Sequence, residues 1–330
     1  LAAQSGIFGG IKNVKRVVLV GGTHGNEWGG IYLCQKWQNT PAAWAKYPFQ
    51  VETYLANPRA IEVNRRYLEE DLNRCFRSSD LANHDLSSYE AQRAKVVAQD
   101  LGGCDFLIDL HNTTSNMGMS LILSREEALE DPLMLQLCAY LLQQDPLVRI
   151  YYMPQNAKDS PYLPSLGQRE LTLEVGPMAH GTLRADLFFK TEQLVQAMLT
   201  FLADWERGEA KAYEGELTVY RQLENLDYPR TPAGHMRGMI HPQLYGRDYR
   251  PLYPGRPLYV TFEGLVLNYE GDETVWPVFI NEQAYYEKGL AMSLTRKEQI
   301  LRQSSKAKAF FRLCLLVPLP TCPRHNGPYS

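Results

Sequence analysis

Residues 17–20, Val-Val-Leu-Val, stand between Lys15-Arg16 and Gly21-Gly22 with no polar residue among them. A strand that is apolar on both faces belongs inside a parallel sheet whose two faces are both covered. This one run therefore demands strands beside it and helices above and below. The chain offers both. Residues 49–56, 106–110, 121–123 and 171–175 read as further strands, the last ended by Gly176-Pro177. Residues 28–37 read as a helix, with Ile31, Cys34 and Trp37 at spacing three. Residues 88–101 form a second, capped by Ser87 or Ser88 and with Glu90 in its first turn. Residues 133–142 and the amphipathic run 186–205 are two more. Alternation of strand and helix from 15 to 207 predicts an α/β layer fold.

The pattern changes after Gly208. Short apolar runs at 217–220, 239–240, 258–262, 266–267 and 276–279 alternate with Pro- and Gly-bearing turns, which predicts a smaller β-rich domain. The expected organisation is an α/β domain over 14–208, a β-rich C-terminal domain over 209–302, and an irregular tail over 303–330.

Composition narrows the partners. Lys and Arg total 34 against 37 Asp and Glu, a net charge of −3, so neither nucleic acid nor an anionic membrane is an expected partner. No apolar run approaches the ~18 residues of a membrane-spanning helix, and residues 1–10 show no secretory leader. The six cysteines, at 34, 75, 104, 138, 314 and 322, form no C-x-x-C pair, so reduced, mostly buried thiols are expected. A cytoplasmic location follows as an expectation.

The densest chemical signal is Gly21-Gly22-Thr23-His24-Gly25-Asn26-Glu27. His24 and Glu27 follow a strand where the chain turns toward a helix, so both side chains can converge on one point. An imidazole and a carboxylate are groups that zinc accepts. His111, at the C-terminal edge of the 106–110 strand, is the candidate third ligand, because sites in open α/β sheets gather outside the carboxyl ends of strands. The same residues also fit a surface histidine beside a glutamate favoured by a helix dipole. Asp109 shares a strand face with His111 and can orient its imidazole, or cap a local loop.

Glu174 is an acid within the apolar run 171–175. A buried carboxylate is costly, so a metal, a cation or a pocket is expected beside it, with a raised pKa suited to proton transfer. An outward-facing Glu on a half-buried strand is the competing reading. Arg66, Asn73 and Arg74 lie in a run of Arg and Glu that could grip a substrate carboxylate and polarise a carbonyl. Such a run also fits a solvated surface. Tyr285-Tyr286 could close the pocket from the C-terminal half.

Taken together, these motifs resemble the aspartoacylase/succinylglutamate desuccinylase group of zinc amidohydrolases, with its zinc carboxypeptidase-like fold. The resemblance covers about residues 14–295 and rests on 22–27, Asn57-Pro58-Arg59-Ala60, Asp71-Leu72-Asn73-Arg74, 109–118, Glu174-Val175-Gly176-Pro177 with 181–186, and 281–288. It implies a mixed sheet flanked by helices, with the smaller β-rich domain capping the site. One Zn2+ per subunit would be held by His24, Glu27 and His111. Glu174 would be the general base, and Arg66 would polarise the acyl carbonyl. Asn73 and Arg74 would grip the amino-acid carboxylate, with Asn112, Tyr162 and Tyr285 lining the pocket. The implied reaction is hydrolysis of N-acyl amino acids, N-acetyl-L-aspartate first, with aromatic N-acetyl amino acids or N-succinylglutamate as alternatives. A homodimer is implied as well. In one respect the chain departs from the aspartate-specific pattern, which places an Arg ten residues before the base. Here that position is Pro164, so either Arg169 or Lys158 substitutes from a shifted loop or a second substrate carboxylate is held less firmly, which bears on the aspartate preference and not on the reaction. A small metallocarboxypeptidase and a noncatalytic metal-binding protein are the competing classes.

Overall fold

The computed structural model describes residues 14–156 and 159–301. The tail expected over 303–330, Cys314, Cys322 and the proposed substitute Lys158 lie outside the described residues.

In chain order the first half runs β1 (Arg16–Gly21), α1 (Trp28–Gln38), β2 (Gln50–Leu55), α2 (Pro58–Glu62), α3 (Ser78–Ala82), α4 (Tyr89–Leu101), β3 (Phe106–Asn112) and β4 (Gly118–Arg125). Then follow α5 (Pro132–Gln144), β5 (Val148–Gln155), β6 (Arg169–Gly176) and α6 (Ala185–Arg207). Beyond Gly208 come β7 (Glu216–Leu226), β8 (Gly238–Ile240), β9 (Pro257–Thr261), β10 (Val266–Asn268) and β11 (Met292–Leu301). The helix ends follow local chemistry. Ser88 accepts a hydrogen bond from the Ala91 N–H and Asp131 from that of Leu133, so both side chains serve as N-caps. Gly208 closes α6 in the left-handed conformation.

Eight strands form one mixed sheet in the order β11-β7-β5-β4-β6-β3-β1-β2, and β10-β9-β8 form a second, small sheet. In the main sheet pairing is parallel except for β4–β6 and β7–β11, and the small sheet is antiparallel throughout. This is the expected mixed sheet flanked by helices, with a smaller β-rich part at the C-terminal end. β7 and β11 come from beyond Gly208 yet extend the main sheet. The run expected as a strand at 276–279 forms no strand: isolated bridges hold Val278 and the preceding Val275, and Phe279 turns the chain with a φ of 54°.

Two different covers fill the sheet's faces. On one, Leu19, Ile108, Leu121 and Leu173 pack with Leu33, Leu137 and Leu199 of α1, α5 and α6. On the other, Val18, Val20 and Leu107 pack under Val97 and Leu101 of α4. That second face changes character over β4 and β5. There Ile122 and Tyr151 meet Tyr249 and Phe279 of the C-terminal segment rather than a helix. The site lies along this stretch. The described cysteines 34, 75, 104 and 138 are free and buried. Among the described residues, no helix is long and apolar enough to cross a membrane.

Candidate active site

β1 ends at Gly21, and the turn behind it carries His24 and Glu27 before α1 begins. The turn is held from below: the Gly25 N–H donates to the Arg66 carbonyl at 3.2 Å. A Cβ on Gly25 would lie 2.1 Å from the Ala60 carbonyl carbon, so only glycine lets α2 approach this closely. β3, parallel to β1, ends nearby and delivers His111.

The three side chains meet. His24 Nδ1 lies 2.6 Å from Glu27 Oε1, and His111 Nδ1 lies 2.9 Å from Glu27 Oε2. Each imidazole's other nitrogen is held by an acid: His24 Nε2 by Asp71 at 3.0 Å, His111 Nε2 by Asp109 at 2.7 Å. Asp109 is fixed in turn by the Thr23 hydroxyl at 2.8 Å. All five groups are buried. Burial works to raise the Glu27 carboxyl, but His24 and His111 on either side hold it well below the usual carboxylate range. Burial likewise opposes protonation of His111, yet Asp109 and Glu27 raise its pKa well above the ordinary imidazole value. Each of the three offers one donor atom, and these atoms lie within 4.8 Å of one another. Two imidazoles and a carboxylate, with each imidazole's far nitrogen on a second carboxylate, make a donor set that fits a divalent metal.

Glu174 stands directly across from His111 in the β3–β6 register. Burial pushes its carboxyl up to about 8, with Glu27 and Glu282 adding to the rise and His111 and Arg66 opposing it. A cavity of about 300 Å³ opens here, and Glu174 lines it together with His24, Glu27, Arg66, Asn73, Arg74, His111, Asn112, Tyr162 and Tyr285. Arg66 donates to Glu27 at 3.1 Å and to Asp71 at 3.4 Å. Its loop is shaped by the buried Glu90, which accepts from the backbone N–H groups of Leu68, Glu69 and Glu70. The turn Leu72–Arg74 is capped by Asp71, whose Oδ1 accepts from Asn73 N at 3.0 Å. Asn73 holds the neighbouring loop through Leu163 N at 2.8 Å, and the Arg74 guanidinium lies 4.9 Å from the Tyr162 ring centre. The Asn112 side chain accepts from Gly29 N at 2.8 Å and so ties β3 to α1.

One sequence candidate does not arrive. Arg169 sits at the start of β6, paired with Asp131 at 2.6 Å, and does not line the cavity. Five residues along a strand separate it from Glu174 by about 16 Å and turn it to the opposite face. The Pro164 position is likewise filled by a buried proline in the turn Leu163–Leu166. Asp109 stands behind His111 and not in the cavity wall.

Three contributors carry no role in the sequence reading. Asp71 joins His24, Arg66 and Lys288. Lys288 lines the cavity. Glu282 accepts from the N–H groups of Thr114 at 2.8 Å and Ala284 at 3.0 Å, which fastens the loop after β3 to the turn Gln283–Lys288 that carries Tyr285. Asp71 stands in the Asp-Leu-Asn-Arg motif, and Glu282 and Lys288 flank the tyrosine pair, so position was the available signal.

Comparison with known proteins settles the lineage. A profile described as the succinylglutamate desuccinylase/aspartoacylase catalytic domain matches residues 13–202, and one described as the AstE/AspA barrel-sandwich hybrid domain matches 215–297. The chain belongs to the succinylglutamate desuccinylase/aspartoacylase family. It is a hydrolase of that family. A protein named probable aspartoacylase from Nostoc sp. is 47% identical over 88% of this chain and 99% of its own length. A human protein named N-acyl-aromatic-L-amino acid amidohydrolase (carboxylate-forming) is 42% identical over 86% of this chain and 91% of its own. The crystal structure of murine aminoacylase 3 superposes with a TM-score of 0.82 at 37% identity, covering 88% of this chain and 98% of that one.

Proposed function

We propose that the chain is a zinc-dependent amidohydrolase of N-acyl L-amino acids, and that its preferred substrates carry a large neutral side chain. The carrying observation is where charge sits in the cavity. His24, Glu27, Arg66, Arg74, His111, Glu174, Glu282 and Lys288 account for its charged lining, and contacts or register tie Arg66, Glu174 and, through Asp71, Lys288 to the His–Glu–His centre. Away from that centre the lining is neutral, with Ile122, Tyr151, Met153, Phe279 and Leu290 beside the uncharged polar Ser124, Thr172, Gln222, Asn225 and Ser293, and among the described residues no cation stands there for a second carboxylate. N-acetyl-L-aspartate is the second reading. It is favoured by Lys288, a cation at the cavity wall that could pair with a β-carboxylate at the expense of its bond to Asp71.

His24, Glu27 and His111 would hold the zinc, which when bound polarises the amide carbonyl and activates a water. The chain's own residues do the rest. Arg74, beside Asn73, binds the α-carboxylate through its guanidinium. Arg66 donates to the acyl carbonyl oxygen as negative charge grows there. Glu174 takes the proton of the attacking water and passes it to the leaving amine, so one amide and one water become a carboxylate and a free amino acid. Tyr162 and Tyr285 narrow the cavity around the substrate.

The test is a panel of N-acetyl-L-phenylalanine, N-acetyl-L-tyrosine, N-acetyl-L-aspartate and N-succinyl-L-glutamate on zinc-loaded protein. The aromatic pair is expected to exceed aspartate at least about tenfold in kcat/KM. A higher value for aspartate favours the second reading, and cleavage of none of them removes the function.

A further inference from the structure

The neutral part of the cavity has a built far end. Alternate residues of a strand share a face, so β6 presents Glu170, Thr172 and Glu174 on the same side. β4 runs antiparallel beside it, with Ser120 opposite Glu174 and Ile122 opposite Thr172. One further step along this face come Ser124 and Glu170, and the Ser124 hydroxyl donates to the Glu170 carboxylate. Ser124 lines the cavity, whereas Glu170 stands behind it, only 3% exposed. Burial raises the Glu170 carboxyl, while the Ser124 hydrogen bond and Arg125, whose Nε lies 3.7 Å from the second Glu170 oxygen, oppose that rise and favour the anion. With its own proton directed at Glu170, the Ser124 oxygen has lone pairs left for the cavity. Charge on Glu170 strengthens those lone pairs as acceptors. Other polar groups of the lining are engaged with one another: Gln222 Nε2 donates to Asn225 Oδ1 at 3.0 Å, and Ser293 Oγ donates to the same atom at 2.7 Å.

We propose that Ser124, polarised by Glu170, is a specificity residue that accepts a hydrogen bond from a donor at the distal end of the substrate side chain, so that a phenol is preferred over a plain phenyl ring. Glu174 and Glu170 are four residues apart, about 13 Å along the strand. This length suits a contact at the scissile carbonyl, a tyrosine side chain and one hydrogen bond laid end to end. The inference rests on the proposed amidohydrolase reading and deepens it.

Two measurements separate the inference from that reading. In the first, kcat/KM is compared for N-acetyl-L-tyrosine and N-acetyl-L-phenylalanine. The parent is expected to favour tyrosine about tenfold. Ser124→Ala is expected to bring the ratio near one while leaving the phenylalanine value within about twofold, the apolar contacts being unchanged. If Ser124→Ala does not fold, Glu170→Gln takes its place and is expected to lower the ratio about threefold, since it removes the charge and keeps the shape. The second measurement is calorimetric binding of L-tyrosine and L-phenylalanine to the zinc-loaded protein, which needs no turnover. Tighter tyrosine binding that is lost in the Ser124 variant upholds the inference even if no amide is cleaved, in which case the amidohydrolase reading alone fails. A parent that treats the two amino acids alike in both measurements overturns it, as does a Ser124→Ala protein that keeps the parent's preference.

Discussion

Glu174 is a buried acid beside two other acids, and that setting predicts how it responds to pH apart from any catalysis. Burial, with Glu27 and Glu282 nearby, moves its carboxyl from an ordinary 4.5 up to about 8 in the metal-free protein. The folded state therefore keeps a proton that the unfolded state releases. Stability falls as pH rises from about 4.5 to about 8, because over that window the native state binds more protons. Glu174→Gln has no such group, so metal-free variant and parent should diverge in Tm as pH climbs, with the variant gaining by an amount on the order of a few kcal/mol. Melting curves at pH 5 and pH 8.5 check this, and parallel curves refute it. The same variant, zinc-loaded, is expected to lose about 100-fold or more in kcat. Asp109 gives a second prediction. It holds His111 Nε2, so Asp109→Asn should weaken zinc binding about 10- to 100-fold, measured by competition with a chelator. His24, Glu27, His111 and Glu174 were legible because each breaks a local pattern: a polar turn between glycines, a histidine ending an apolar strand, an acid inside one. Asp71 breaks no pattern. Its importance comes from three partners at sequence distances of 47, 5 and 217, which only the folded chain brings together.

At the scale of elements, the junction of β1, α1 and β3 shows local propensity yielding to packing. α1 opens Trp-Gly-Gly, a poor start for a helix. Yet a Cβ on Gly30 would lie 2.7 Å from the Leu110 carbonyl oxygen and 2.8 Å from the Leu110 Cβ. The glycine lets α1 sit down on β3 and brings Glu27 up to His111. Gly30→Ala would gain about 1 kcal/mol of helix propensity and lose about 1–3 kcal/mol to overpacking. A lower midpoint in urea is therefore expected, and a variant as stable as the parent would show that α1 is free to move. Strand legibility followed the same logic. β1 and β3 are buried on both faces and read as apolar runs. β11 is an edge strand carrying Thr295, Arg296, Lys297, Glu298 and Gln299, so its sequence looks like a polar connection. It is a strand because β7 offers ten paired positions. β5 mixes Arg149 and Pro154 with tyrosines, and its neighbours β4 and β7 define it more than its own alternation does.

For the whole molecule, the question is whether the N-terminal α/β segment stands alone. The sequence divides at Gly208, but the main sheet does not. β7 pairs β5, and β11 pairs β7, so two strands of the sheet come from beyond the division. Residues from there also cover what the helices leave open: Tyr249, Val278 and Phe279 pack on Ile122 and Tyr151, and Glu282 fastens the loop that follows His111. Removing residues 209–301 would turn β5 into an exposed edge and bare the apolar face of β4 and β5. An open edge beside uncovered apolar surface favours association between chains. A fragment ending at Gly208 is therefore expected to be insoluble or aggregated on expression, and to lack cooperative melting. Sedimentation and differential scanning calorimetry would detect this, and a monomeric fragment with a sharp transition would contradict it. The active site depends on the same C-terminal residues. Tyr285 and Lys288 ride on a turn capped by Glu282, and Glu282 also binds the backbone after β3. The part of the chain that completes the sheet is thus also the part that closes the cavity, so a fragment lacking it is expected to lose substrate binding even where some of it stays in solution.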